Sequence, residues 1–361
     1  MPGRLQSSLI NPGADAAWLP PDQRSANHEP MAYTEELEAA VAAVQQASAL
    51  CVRVQTSLVS EESVAKKDRS PVTVADFGAQ AVVAHALLDA FPSDPMVGEE
   101  DASALRDPAN EQLAERVIEG VSTVTPDLDR QTVLDLIDHG TYEGGGEGRH
   151  WTLDPIDGTK GFLRGDQYAV ALALIDRGEV VLGVLGCPHL LVDSSDPEGP
   201  RGCLFFSEKG QGTSMRRFDN GNESHVSVSG VTDASQARFC ESVEAAHSSQ
   251  DDTARVAALL GIEQPPFRID SQCKYAAVAR GDASIYMRLP TRKDYEEKIW
   301  DHAAGMAVVR EAGGRVTDVA GRDLDFSLGR TLRKNRGVVV SNGEIHDEVI
   351  AAVREVLQIT D

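Results

Sequence analysis

The chain has 361 residues, 41% apolar and 25% charged, the make-up of a globular protein able to bury a large core. A formal net charge of −23 argues against a nucleic-acid polymer or an anionic membrane surface as partner, but admits a small anion wherever metals reverse the sign locally. Cys51, Cys187, Cys203, Cys240 and Cys273 lie far apart with no C-x-x-C pair, so a reducing, cytoplasmic compartment is expected rather than a zinc site or a disulfide scaffold. Residues 1–30 are proline-rich and lack an apolar h-region; they read as a disordered tail, a weak organelle address, or residues upstream of a start at Met31. The longest apolar runs, 168–175 and 180–187, are strand-sized rather than membrane-sized. Thr34 with Glu35 and Glu36 opens a helix in which Leu37, Val41, Val44, Ala47 and Leu50 recur at helical spacing. Pro71 is expected to end any helix there, with Asp76 as the N-cap of a second helix running to Phe91. Met96-Val97 reads as a short strand leading into Gly98-Glu99-Glu100, where only one of two adjacent carboxylates can face a given site. Helices are expected at 112–119 and 129–138, and the glycines of 144–148 lack the strand-then-helix context of a dinucleotide fingerprint.

The stretch Trp151-Thr152-Leu153-Asp154-Pro155-Ile156-Asp157-Gly158-Thr159-Lys160-Gly161 carries the strongest chemical signal. An apolar run ends in a carboxylate, turns through a proline and offers a second carboxylate. Two acids so close repel and tend to hold their protons unless a cation lies between them. Carboxylates plus the backbone carbonyl of Ile156 suit a hard cation such as Mg²⁺. Gly158 permits close backbone approach, and the amides of Gly158 and Thr159 could hold a phosphate. Beyond this stretch a hairpin is expected over 168–176 and 179–187, then strands at 203–207 and 225–229 that complete an antiparallel sheet. From residue 238 the pattern alternates: helices at 251–260, 272–279 and 300–312, strands at 284–289, 314–317 and 337–341. The expected division is a tail over 1–30, an α+β domain over 31–235 with most metal ligands, and an α/β domain over 236–361.

Taken singly, each signal has a bland explanation: a capped turn for Asp154 and Asp157, N-caps for Asp76 and Asp301, solvated surface for Glu99, Lys274 and His247. Taken together, Asp76, Glu99, the Asp154/Asp157 pair and Asp301 all fall at strand ends or helix starts, which converge at the open end of an α/β sheet. Such a set is what a Mg²⁺-dependent phosphoryl hydrolase requires. The chain resembles the lithium-sensitive, Mg²⁺-dependent phosphatases of the inositol monophosphatase superfamily through Gly98-Glu99-Glu100, Asp154-Pro155-Ile156-Asp157-Gly158-Thr159 and Trp300-Asp301-His302-Ala303-Ala304-Gly305. The longer run Asp157-Gly158-Thr159-Lys160-Gly161-Phe162-Leu163-Arg164-Gly165 is similar to the 3′(2′),5′-bisphosphate nucleotidase branch. So are His247-Ser248-Ser249, Asp270-Ser271-Gln272-Cys273-Lys274-Tyr275 and Tyr295-Glu296-Glu297-Lys298-Ile299-Trp300-Asp301. The likeness covers residues 34–356.

The resemblance implies an α+β / α/β fold layered as an α-β-α-β-α sandwich of the sugar-phosphatase type. It implies two or three Mg²⁺ ions held by Glu99, Asp154, Asp157, Asp301 and the Ile156 carbonyl, with Asp76 and Thr159 orienting and deprotonating the attacking water. It puts Gly158 and Thr159 on the phosphate, His247 on an adenine, and Ser271, Lys274 and Arg288 on the ribose and a second, uncleaved phosphate. The implied reaction is hydrolysis of adenosine 3′,5′-bisphosphate to AMP and phosphate, with the sulfate-bearing 3′-phosphoadenosine analogue as a further substrate. A role in clearing the by-product of sulfate assimilation, inhibition by Li⁺ and Na⁺, a small-molecule partner and a monomeric state are implied by the same resemblance. The rival readings are an inositol phosphate or polyphosphate phosphatase with the same metals, and a nucleotide sensor that binds without hydrolysis. Two departures from the branch bear on base preference: Gln250 replaces a frequent second histidine, and 241–246 lack the usual glycine.

Overall fold

The first helical layer is α1 (Thr34–Leu58) and α2 (Ser70–Ala90), in a computed structural model that describes residues 33–58, 70–243, 250–292 and 294–359. The expectations for residues 1–30 and for His247 lie outside the described residues. In α1, Ala40, Val44, Ala47 and Cys51 recur every three or four positions and are fully buried. Contrary to the sequence reading, Thr34–Ser57 is long and apolar enough to pass for a membrane span, but 50% of that window is buried inside the fold, as befits a core helix. Helix α2 also corrects an expectation, because it begins at Ser70 and not at Asp76. Pro71 is its second residue, where a missing N–H leaves no intrahelical bond unmade and the fixed φ suits the helix. Asp76 is therefore an interior helical residue, not an N-cap.

The second layer is a seven-stranded sheet in sequence order: β1 (Met96–Gly98), β2 (Arg149–Asp157), β3 (Ala169–Asp176), β4 (Glu179–Leu191), β5 (Arg201–Glu208), β6 (Gly212–Arg217) and β7 (Glu223–Val226). Only the β1–β2 pairing is parallel. Helices α3 (Glu111–Ser122) and α4 (Arg130–Asp138) fill the excursion between β1 and β2. Strand β3 reads as an unbroken apolar run because both of its faces are covered. Leu172 and Leu174 enter the core shared with α1 and α2, and Ala171, Ala173 and Ile175 enter the core on the opposite side. Strand β6 went unpredicted because its residues are half polar and only every second one is buried.

The rest of the chain supplies β8 (Phe239–Glu241), α6 (Gln250–Leu259), β9 (Phe267–Arg268), α7 (Cys273–Ala279), β10 (Ile285–Arg288), α8 (Ala303–Glu311), β11 (Arg315–Thr317), β12 (Val338–Ser341) and α9 (His346–Leu357). The five strands form a second sheet in the order β11-β12-β10-β8-β9. Helices α7 and α8 lie between the two sheets. The approach is close: a Cβ on Gly183 of β4 would stand 2.7 Å from the Ala304 carbonyl oxygen of α8, and one on Gly186 would stand 2.4 Å from Ser48 Oγ of α1. On the far side, Ile285 and Met287 of β10 share a third core with Val349, Val353 and Val356 of α9. The layers thus run α-β-α-β-α. Helix α8 starts at Ala303 with His302 as N-cap, so Asp301, expected as a cap, sits one residue before that cap.

Candidate active site

Parallel pairing of β1 with β2 sends both strands out at the same edge of the sheet, which brings Glu99 beside Asp154. The β2–β3 register then sets the direction in which the two β2 carboxylates point. Asp154 pairs with Ala171 but Asp157 pairs with Ala169, so three residues of β2 oppose two of β3. In a regular strand, positions three apart face opposite ways; one extra residue resets the alternation and turns both carboxylates to one pocket. The sequence predicts a proline turn here, whereas the strand continues to Asp157 through a bulge. Gly158 then takes φ 94°, and a Cβ there would lie 2.8 Å from Ser271 Cβ, so only glycine lets the chain turn into α5 (Thr159–Arg164) against that neighbour.

Two buried glutamines lock these segments. Gln80 sits one turn beyond Asp76 on α2. Its Nε2 donates to the carbonyls of Glu100 at 2.6 Å and Ile137 at 2.7 Å, and its Oε1 accepts from the Glu100 amide at 3.1 Å. Gly98 and Gly140 have no Cβ because the Gln80 amide occupies that space. Gln272 donates its backbone N–H to Asp157 and its side-chain N–H to the Trp300 carbonyl at 2.9 Å, while accepting from the Gly305 amide at 3.1 Å. That single residue ties the Asp157 turn to the start of α8. Neither glutamine was singled out from sequence; a glutamine four residues past Asp76, on the same helix face, was the only local hint for Gln80.

The electrostatics are those of an acidic site short of positive charge. Loss of water at the concave wall, then repulsion from Asp301 and Glu100, pushes Glu99 up to about 8. Burial and Asp301 push Asp157 up to about 6, against the pull of Lys274, Arg288 and the Gln272 amide. Asp154 rises well above the carboxylate range through burial and repulsion from Glu99, Asp157, Asp301 and Asp76. Asp76 rises likewise through burial, Glu100 and Glu99. One oxygen each of Asp76 and Asp154 is fully enclosed with no hydrogen-bond partner among the described residues. The enclosed, unpaired oxygen of Asp154, on a wall whose other acids also offer only oxygen, fits a hard divalent cation.

A second set of side chains supplies the cations. Lys274 is 5% exposed, its ammonium lies 5.2 Å from the Tyr286 ring centroid, and it lines the same pocket as Ser271, Arg288 and Asp301. Arg288 bridges Glu297 at 2.9 Å and Asp301 at 3.3 Å. Burial alone would lower the Arg288 pKa, but Asp301 and Glu297 outweigh it and raise it. Glu297 also meets His302 Nε2 at 3.1 Å, and His302 Nδ1 meets the Tyr275 hydroxyl at 2.8 Å. The ligand atoms of Glu297, Asp301 and His302 all lie within 4.8 Å of one another, but this cluster already holds a guanidinium and is better described as an ion-pair network. Of the residues expected at the site, the pocket wall collects the four carboxylates Glu99, Asp154, Asp157 and Asp301 with Ile156, Gly158 and Thr159, and then Ser271, Lys274 and Arg288. Asp76 stands behind that wall, on a helix that packs against α5.

A model of the inositol monophosphatase family matches residues 32–358. The chain belongs to the inositol monophosphatase family. The 3′(2′),5′-bisphosphate nucleotidase of Emericella nidulans is 46% identical over 353 residues, 91% of this chain and 100% of that protein. That of Schizosaccharomyces pombe is 46% identical over 343 residues, 90% and 97% of the two chains. The Arabidopsis thaliana 3′(2′),5′-bisphosphate nucleotidase 1 is 47% identical over 343 residues, again 90% and 97%. Among solved structures, an IMPase of Thermotoga maritima superposes with TM-score 0.58 at 22% identity, covering 90% of this chain and 98% of that one. SuhB of Mycobacterium tuberculosis does so with TM-score 0.58 at 20% identity, covering 90% and 97%. The layered sandwich expected from the sequence is thus the fold of the inositol monophosphatase family, whose members are metal-dependent phosphatases.

For an inositol monophosphatase-family site without its metal, the pH dependence of stability has a definite sign. Folded values of about 8 for Glu99 and about 6 for Asp157 stand above their ordinary 4.5 and 3.8, so the native state holds protons that the unfolded chain releases. Stability is then greatest below the unfolded values and is lost as pH rises toward about 8. The carboxylates with lowered values, such as Asp129 and Asp193, act below 3.8, outside this window. In EDTA the melting temperature is expected to fall between about pH 5 and about pH 8, and about 5 mM Mg²⁺ to remove most of the slope; a melting temperature that climbs with pH in EDTA contradicts it.

Proposed function

We propose that this chain is a Mg²⁺-dependent 3′(2′),5′-bisphosphate nucleotidase that hydrolyses the 3′-phosphate of adenosine 3′,5′-bisphosphate to AMP and phosphate. The observation that carries the reading is the juxtaposition in one pocket of the carboxylates and, beside them, a cationic side built on buried Lys274 and half-buried Arg288. A phosphomonoester needs only the first; a second phosphate on the same molecule explains the other. Relatives about as similar as those above carry the nucleotidase name at nearly full length, which favours the same substrate class.

Glu99, Asp154, Asp157, Asp301 and the Ile156 carbonyl, which the bulge frees from the ladder, would hold two or three Mg²⁺ ions. Bound there, Mg²⁺ supplies positive charge to the phosphoryl and departing ribose oxygens and makes a nearby water more acidic. Asp76 is the base that receives the water proton through the Thr159 hydroxyl, and its raised affinity for protons suits that task. The amides of Gly158 and Thr159 orient the phosphoryl group, and Ser271, Lys274 and Arg288 hold the phosphate that stays. His247 meets the adenine. The five cysteines, all buried and free, suit a reducing compartment such as the cytoplasm, and a monomer is complete for this chemistry.

A phosphate-release panel tests the reading. With Mg²⁺, kcat/KM for adenosine 3′,5′-bisphosphate is expected to exceed that for inositol 1,4-bisphosphate and adenosine 3′-monophosphate by ~10²-fold, the worth of two charged hydrogen bonds. Lys274→Met should erase most of the preference over the monophosphate, and Li⁺ should inhibit. A preference for the inositol substrate overturns the substrate assignment. Nucleotide binding in EDTA without phosphate release in Mg²⁺ overturns the enzymatic one.

A further inference from the structure

Arg330 lies in the connection between β11 and β12 and reaches back across the molecule to the first sheet. Its guanidinium donates to the carbonyls of Gly98 at 2.6 Å, Tyr142 at 2.9 Å and Gly140 at 3.2 Å. The same group lies over the Trp300 ring, 4.9 Å from its centroid. Its backbone oxygen accepts from the Ile299 amide at 3.2 Å. Gly98 immediately precedes Glu99, and Trp300 immediately precedes Asp301.

One planar, rigid fork therefore grips the residue before each of two proposed metal ligands, which come from different layers of the fold. Those two ligands oppose each other: Asp301 is the leading charged group that resists ionisation of Glu99. Without a cation between them they would relax apart, and each metal would then have to draw them together at a cost in affinity. We infer that Arg330 is a positioning residue that fixes the gap between Glu99 and Asp301 by clamping the Gly98 carbonyl and the Trp300 ring. The inference rests on the proposed metal reading of the site.

Charge and position make opposite forecasts. As a nearby positive charge, Arg330 opposes cation binding, so its removal should tighten Mg²⁺. As a clamp, its removal should loosen it. Lysine keeps the charge but cannot reach several carbonyls with a planar fork while stacking on an indole. Calorimetric titration of the EDTA-stripped full chain with MgCl₂ is the measurement, with circular dichroism confirming that each variant is folded at the titration temperature. Both Arg330→Lys and Arg330→Ala are expected to raise the Mg²⁺ dissociation constant by about 10–100-fold, as loss of outer-shell support does elsewhere. At saturating Mg²⁺, KM for the bisphosphate should stay near wild type. Unchanged affinity in Arg330→Lys, or tighter binding in Arg330→Ala, overturns the inference. Loss of fold in both variants overturns it as well, because the residue would then hold the fold rather than the ligand gap. A wild-type chain that takes up no more Mg²⁺ than Asp154→Asn overturns the metal reading itself, a failure seen before any Arg330 variant is measured.

Discussion

Asp157→Asn is expected to lower kcat by at least ~10³-fold, beyond the loss that a missing outer-shell contact causes, while the metal-free protein melts at a higher temperature than wild type. Asp157 lies beside Asp301 in the acidic cluster, and burial together with that neighbour pushes it up to about 6. At neutral pH it is nonetheless ionised for most of the time, in a place that resists the charge. An amide there keeps an oxygen that accepts the Gln272 N–H and removes the repulsion. In the proposed reading the metals lose a charged ligand in the same stroke. Phosphate release, Mg²⁺ titration and differential scanning calorimetry together check the claim. A variant that unfolds, rather than one that is folded and inert, would mean that the metal holds the structure.

Asp76→Asn separates the proposed base from the proposed ligands. Here kcat should fall ~10²–10⁴-fold, the usual contribution of a positioned proton acceptor, and Mg²⁺ affinity should change little. The reason is placement. Asp76 stands behind the pocket wall on α2, and one of its oxygens is enclosed without a partner among the described residues. An amide of the same shape adds no strain to the helix, and α2 remains tied to Glu100 through Gln80. The pH profile is the sensitive readout, because the acidic limb of kcat reflects the group that must be deprotonated in the complex. An unchanged acidic limb, or a Mg²⁺ dissociation constant that rises as steeply as in Asp157→Asn, would make Asp76 a ligand instead.

Much of the fold was legible in residue patterns. The helical spacing from Leu37 to Leu50, the strand-length runs on either side of Arg177-Gly178, and the alternation of elements after residue 238 all correspond to elements found. What escaped had weak local signals. Strand β9 is two residues long and β8 three, and both exist because β10 and its neighbours offer them edges to pair with. Pro71 looks like a terminator in sequence and is an initiator in the fold, and the two roles differ only in which residues beyond it find helical partners.

The site divides in the same way. Residue type alone determined the chemistry on offer: carboxylates and a carbonyl for a hard cation, a lysine and an arginine for phosphate, an aspartate and a threonine for a proton. These capacities are intrinsic to side chains and survive any arrangement. Tertiary structure decided which of them meet. The bulge at 154–157 put two acids on one face, Gln272 joined that turn to Trp300, and Arg288 found Glu297 as well as Asp301. None of these pairings can be read from sequence spacing, because each depends on the register of a neighbouring strand or on a segment more than a hundred residues away (or, for Arg288, on how a loop returns).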